Sequence, residues 1–194
     1  MKTLVAALLS ALAILVVLAG CKTSRKGYES APYKVVSKDG KFEVRDYPAL
    51  TVVETPMRDD SGSSFQRLFR YISGGNADGE KIAMTTPVFM AGTESQRSMS
   101  FVMPADMKFT PSPSDASVSV ATIPAGRFAV FGFSGSRTAQ SEAKALKQLR
   151  EWTDSQSLPS SSQPIFGYFD PPWTPPFLRR NEVMLRLDAQ ASTK

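Results

Sequence analysis

Between Tyr33 and Leu187 apolar side chains recur at every second position over short stretches, and twice the period lengthens to that of a helix. Tyr33–Ser37 and Lys41–Tyr47 flank Lys38-Asp39-Gly40, a turn signal that predicts a hairpin of two strands. In the second of these Phe42 and Val44 alternate with Glu43 and Arg45, which predicts one buried face and one wet one. Pro48 breaks that strand, and Leu50–Thr55 forms a third. Phe65, Leu68, Phe69 and Ile72 then fall at i, i+3, i+4 and i+7, the spacing of an amphipathic helix, with Gly74-Gly75 as its stop. Lys81–Thr85 and Val88–Ala91 read as short extended pieces around Pro87, and Ser98–Met103 as a strand closed by Pro104. A proline- and serine-rich connection runs from Pro104 to Ser117.

The order then repeats. Val118–Ile123 is a strand, Pro124-Ala125-Gly126 a turn, and Arg127–Phe133 another strand. A helix follows over Ala139–Thr153, with Ala145, Leu146, Leu149 and Trp152 on one side. Pro164–Phe169 is extended, a proline loop intervenes, and Glu182–Leu187 is the last strand. Two copies of a β-β-α-β-β unit account for this order. The fold class expected is α+β: a distorted antiparallel β-barrel or curved sheet shared by the two halves, with two helices packed on it.

The N-terminus breaks the pattern. After Lys2, residues 4–19 are apolar except for Ser10, too short a run to span a bilayer comfortably and suited to a secretory signal. The run ends Leu18-Ala19-Gly20-Cys21, which resembles the bacterial lipobox, where cleavage leaves a lipid-modified cysteine. Cys21 is the single cysteine of the chain; an ordinary signal peptide would leave its place at this junction to coincidence. The expected organisation is a signal peptide over 1–20, a lipidated N-terminus and tether over 21–31, one domain over 32–188 and a polar tail over 189–194. The location that follows is a membrane-anchored exported lipoprotein, with Lys22 after the cysteine favouring the outer membrane in a Gram-negative host. Cleavage removes Lys2 alone among charged residues, so the formal charge falls from +5 to +4.

Absences narrow the chemistry. The chain has no histidine, and its one cysteine is assigned to the lipid. Histidine-based triads, Cys-His dyads and His- or Cys-ligated zinc sites are therefore excluded. No phosphate-binding glycine loop or EF-hand spacing occurs, and no basic-aromatic motif for nucleic acid. Asp59-Asp60 lies beside Ser61 and Gly62 and reads as a solvated loop. No catalytic metal and no catalytic constellation can be named, so an enzyme is not expected.

Five strings now converge on one family. Tyr71-Ile72-Ser73-Gly74-Gly75-Asn76, Lys81-Ile82-Ala83-Met84-Thr85-Thr86-Pro87-Val88, Phe101-Val102-Met103-Pro104, Gly167-Tyr168-Phe169-Asp170-Pro171-Pro172 and Arg179-Arg180-Asn181-Glu182-Val183 stand in order. Together they resemble the SOUL/haem-binding protein family over about Tyr33 to Leu187. The resemblance implies a duplicated, distorted antiparallel barrel with two helices, and non-covalent binding of haem or other tetrapyrroles without catalysis. The fold also resembles bacterial effector-binding domains, which hold small amphipathic molecules between the halves.

A flat macrocycle with two propionates asks for an apolar cleft with cations at its mouth. The candidate binding residues are Phe65, Arg67, Leu68, Phe69 and Arg70 on the first helix, with Trp173, Phe177, Arg179 and Arg180 in or just after the proline loop. Each has a plainer reading. The helix stripe reads first as core, Arg67 and Arg70 serve equally as solvated charges, the two loop aromatics as a barrel cap, and Arg179, Arg180, Asn181 and Glu182 as salt-bridge groups that knit the last strand to its neighbours. Some relatives carry a histidine proposed as axial ligand, or a basic residue inside the proline loop; here histidine is absent and Trp173-Thr174 occupies that part of the loop. Two other functions stay open: a module for a different amphipathic ligand, and a structural or interaction lipoprotein of the envelope.

Overall fold

The computed structural model describes residues 27–57, 61–93 and 96–188. The stretch expected to be a signal peptide, Cys21, Asp59-Asp60 and the C-terminal residues 189–194 lie outside the described residues. The strands are β1 (Glu29–Ser30), β2 (Lys34–Asp39), β3 (Phe42–Tyr47), β4 (Leu50–Pro56), β5 (Thr85–Thr86), β6 (Val88–Ala91), β7 (Ser98–Val102), β8 (Ser119–Ile123), β9 (Gly126–Phe133), β10 (Ile165–Tyr168) and β11 (Asn181–Arg186). The helices are α1 (Ser61–Ile72) and α2 (Ala139–Ser155). Nine strands form one curled antiparallel sheet in the order β2-β3-β9-β11-β10-β6-β7-β4-β8.

With β2 set aside, that order reads the same from either end when the two halves are exchanged. Val53 of β4 pairs with Phe101 of β7 and Val120 of β8; Val130 of β9 pairs with Met184 of β11 and Glu43 of β3. β4 and β9 therefore hold equivalent places, and β6 meets β10 at the pseudo-two-fold. The first strand of each half pairs with the second strand of the other, β3 on β9 and β8 on β4. Neither half can fold alone without leaving a strand edge unpaired.

Alternation gives each strand one residue set per face. Val53, Met90, Met99 and Phe101 pack beneath α1 with Leu68, Tyr71 and Ile72. Ala129, Phe131, Phe166, Val183 and Leu185 pack beneath α2 with Ala145 and Leu149. The opposite face curls inward around Leu50, Val52, Phe89, Phe128, Val130 and Met184. The Phe42 and Val44 face of β3 is covered as predicted, but the face expected to be wet is covered too: Arg45 and Tyr47 are buried on the inner side. A curled sheet has two covered faces, so strict alternation of wet and dry is lost.

Local chemistry sets the boundaries. Gly40 adopts φ +57 in the hairpin turn, and Gly74 adopts φ +100 after α1, conformations that disfavour a side chain. The Gly75 N–H then donates to the Arg70 carbonyl at 2.9 Å, closing the helix end. Thr138 and Ser141 form a capping box at the start of α2. Two stretches differ from the sequence expectation. Of Lys81–Thr85 only Thr85 lies in a strand, the two-residue Thr85–Thr86, because the Ile82 N–H donates to the Ile72 carbonyl and its side chain joins the α1 core. Glu29–Ser30, within the stretch read as tether, pairs in parallel with Thr85–Thr86.

Candidate functional site

The α1 stripe divides between two roles. Leu68 is fully buried and belongs to the core, whereas Phe65 and Phe69 remain 38% and 49% exposed. Their rings stack 6.0 Å apart, and Phe65 meets the Phe101 ring edge-on at 5.2 Å. A helix resting on a sheet buries about a third of its circumference, and the next positions round the cylinder stay at the rim. Arg67 turns back to brace the helix start: Nε donates to Thr55 Oγ1 at 3.1 Å, and Nη2 to the Pro56 carbonyl at 2.9 Å and Ser64 Oγ at 3.1 Å. Arg70 is exposed.

The connection between β10 and β11 is stiffened from within. Arg179 Nε donates to the Thr174 carbonyl at 2.7 Å and Nη2 to the Pro172 carbonyl at 2.5 Å. The Thr174 N–H donates to the Pro171 carbonyl, and the Gly135 N–H to the Pro176 carbonyl, so the loop is tied to itself and to the end of β9. On this frame Trp173 and Phe177 stand 80% and 72% exposed. Arg180 lies over the Phe169 ring at 4.1 Å and donates to Glu182. Tyr168, the last residue of β10, packs against the clusters of both helices and donates from its hydroxyl to Glu142 of α2, so the loop departs from between the two helices.

On the inner face lies a buried ion network that sequence reasoning did not assemble. Arg45 Nη1 and Nη2 donate to Glu182 at 2.8 and 3.0 Å, its Nε to Glu43 at 2.7 Å and its Nη1 also to the Tyr47 hydroxyl at 3.1 Å. The Tyr33 ring covers the Arg45 guanidinium at 4.1 Å. Burial opposes the charge on Arg45, but Glu182 outweighs it and holds the guanidinium above its ordinary value. Glu43 likewise loses solvation, yet hydrogen bonds from Lys38 and Arg45 keep its carboxyl below the usual range. The signals available in sequence were Glu43 and Arg45 on the predicted wet face of β3 and Glu182 among the groups expected to tie the last strand to its neighbours; nothing joined the two.

Three tyrosines are held neutral. Burial pushes Tyr47 up to about 12 and also raises Tyr71 and Tyr168, the last helped by its hydrogen bond to the buried Glu142 carboxylate. A folded-state value above the unfolded one stabilises the fold below the unfolded value, near 10, and that stabilisation is lost as pH rises beyond it. Tyr47 alone contributes about 2–3 kcal/mol in this way. Tyrosinate absorbance for these residues should therefore rise only with unfolding, between pH 10 and 12, and Tyr47→Phe should delay that transition. Full ionisation of all five tyrosines near pH 10 in a folded protein would contradict it.

A separate groove of about 1020 Å³ opens at the end of α2. Val36, Val44, Trp152, Leu158 and Leu187 line it, and the Asp46–Arg127 ion pair lies at its rim. None of its residues was a sequence candidate. It forms where β2, the strand without a counterpart in the other half, reaches the segment that follows α2.

These parts define a class: a duplicated α+β sheet whose helix side offers solvent-held aromatic rings. Among the described residues, no group of three or more His, Cys, Asp or Glu is placed to hold a metal. The rings suit a planar apolar ligand, whereas the donor set supplies no imidazole for iron. The family model of the SOUL heme-binding protein matches residues 28–186, and the chain belongs to that family. Solved structures with similar folds include the EcmrR C-terminal domain (13% identity, TM-score 0.56, covering 80% of this chain and 98% of that one). A hydrolase from Listeria innocua is similar at 9% identity and TM-score 0.58, covering 79% and 94%. At these identities the likeness shows the fold alone. No curated protein sequence matches the chain.

Proposed function

We propose that this chain is a lipid-anchored, non-catalytic binding protein for haem or a related tetrapyrrole, held between the α1 rings and the β10–β11 loop. The observation that carries this reading is the exposure of Phe65, Phe69, Trp173 and Phe177. Four large aromatics kept in solvent on braced backbone cost hydration free energy unless a ligand covers them. The pseudo-two-fold supports their proximity. In one half, Arg97 from the β6–β7 connection reaches Glu142 in the first turn of α2 at 2.5 Å. The exchange of halves gives the β10–β11 connection the corresponding relation to α1, the helix that carries Phe65 and Phe69.

Each 100 Å² of apolar area covered contributes roughly 2.5 kcal/mol, and micromolar affinity corresponds to about 8 kcal/mol. A porphyrin face on these rings reaches that range without an iron–protein bond, with Arg70 available to a propionate. Arg67, Arg179 and Arg180 already serve backbone carbonyls or Glu182, so they shape the mouth rather than meet the ligand. Haemin and metal-free protoporphyrin should then bind within about tenfold of each other. Phe69→Ala and Trp173→Ala should each weaken binding, and Arg70→Glu should weaken it in a salt-dependent manner. Binding that disappears with the iron, or no saturable binding of either porphyrin at tens of micromolar, would defeat the proposal. Loss on changing Trp152 but not Trp173 would move the ligand to the α2 groove.

A further inference from the structure

We infer that the end of the sheet carrying the β10–β11 loop faces the membrane, with Trp173, Phe177 and Phe109 seated among the lipid headgroups, so that the ligand mouth opens toward the bilayer. This rests on the anchoring at Cys21. Five residues separate that cysteine from Gly27, the first described residue, six steps with a reach of about 20 Å fully extended. A domain of this length is about 40 Å across. The tether is therefore shorter than the body it holds, and the side from which it leaves must stay near the lipid.

That side is settled by the hydrogen bonds of the N-terminal strap. Glu29 and Ser30 pair with Thr85 and Thr86, and the Ala31 N–H donates to the Thr86 carbonyl at 2.8 Å. The Glu29 carboxylate accepts from the Ala105 N–H at 2.9 Å. The strap is thus fastened to the start of β6 and to the segment just after β7. Val88, the first residue of β6, pairs with Tyr168, after which the aromatic loop begins. Phe109, 64% exposed, follows Ala105 by four positions, and Tyr28, 48% exposed, sits on the strap itself. The most exposed aromatics among the described residues are Trp173, Phe177 and Phe109, and all lie on segments that leave this one end. Aromatic rings with a polar edge settle at the membrane interface, and interfacial burial runs roughly 5–10 Å deep. A tetrapyrrole or other amphipath would pass between lipid and cleft without crossing water.

The two tryptophans make this measurable. Trp152 stacks on Phe42 and donates from Nε1 to Asp39 at 3.0 Å, on the α2 side beside β3, four strands across the sheet from the β6 that holds the strap. The chain from Cys21 onward keeps every described residue, and its single thiol can be coupled to maleimide-bearing lipid in phosphatidylcholine vesicles with brominated acyl chains. In the W152F variant, where only Trp173 emits, coupling should quench about half of the fluorescence or more. In W173F, where only Trp152 emits, coupling should quench little. A third chain, F109W in the W152F/W173F background, should be quenched like Trp173, because Phe109 is on the segment fastened to the strap through Ala105 and is not among the proposed ligand-binding residues. Quenching of Trp173 without the residue-109 probe would mean a lipid taken into the cleft, and overturns the orientation. So would quenching of Trp152, or of none. The vesicle supplies the tether, so these outcomes do not depend on lipidation in the cell. That is tested separately by Cys21→Ser, which should leave an unprocessed precursor.

Discussion

Glu182→Ala should lower the unfolding free energy by about 3 kcal/mol, the low end of the cost of breaking a buried ion pair. Glu182 accepts two hydrogen bonds from Arg45 and two from Arg180, and both it and Arg45 are almost fully enclosed. Removing the carboxylate leaves Arg45 with a desolvated charge that cannot reach water. Glu43 still holds its Nε at 2.7 Å, which keeps the loss from the top of the range. In thermal melts this corresponds to a fall of roughly 6–12 °C. The double variant Arg45→Met/Glu182→Leu should recover most of it, since apolar side chains of similar size need no partner. A Glu182→Ala protein within about 1 kcal/mol of the parent would show that water or a neighbouring group replaces the carboxylate.

Leu68→Ala should cost about 2–5 kcal/mol, because Leu68 is fully buried between α1 and the sheet and its removal leaves a cavity. Phe69→Ala, one position further on, should cost less than about 1 kcal/mol, since that ring is half exposed. The two variants separate core from ligand surface on one helix. Leu68→Ala should melt early, yet bind porphyrin normally where it remains folded. Phe69→Ala should melt like the parent and bind more weakly. If both variants lose binding in proportion to stability, the exposed stack has no role beyond the fold.

The elements were legible because they are local. The i, i+3, i+4, i+7 apolar spacing and the Gly74-Gly75 stop gave α1 its place, and Asp39-Gly40 gave the hairpin. Pattern also carried the duplication, the α+β class and, through five strings in order, the family. The N-terminal end of α1, from Ser61, was less clear, because Ser61 to Ser64 carry no apolar repeat. Of the candidate site, residue types and neighbourhood were readable: aromatics on a proline loop and on one helix.

What each candidate does was settled by packing across the sheet. Phe65, Leu68 and Phe69 look alike in sequence, and only the position of β7 beneath α1 buries the second while leaving the others at the rim. Arg67 and Arg179 are indistinguishable from solvated charges until carbonyls of Pro56, Pro172 and Thr174 come within reach. Arg45 and Glu182 are far apart in the chain, and their pairing depends on β9 lying between β3 and β11. The exchange of first strands between halves is decided the same way. Local periodicity sets which residues form a strand and which sides they show, because it depends on backbone geometry alone. Partners across the sheet, and hence which charges are buried and which rings are left to solvent, depend on contacts between distant segments and arise only in the tertiary structure.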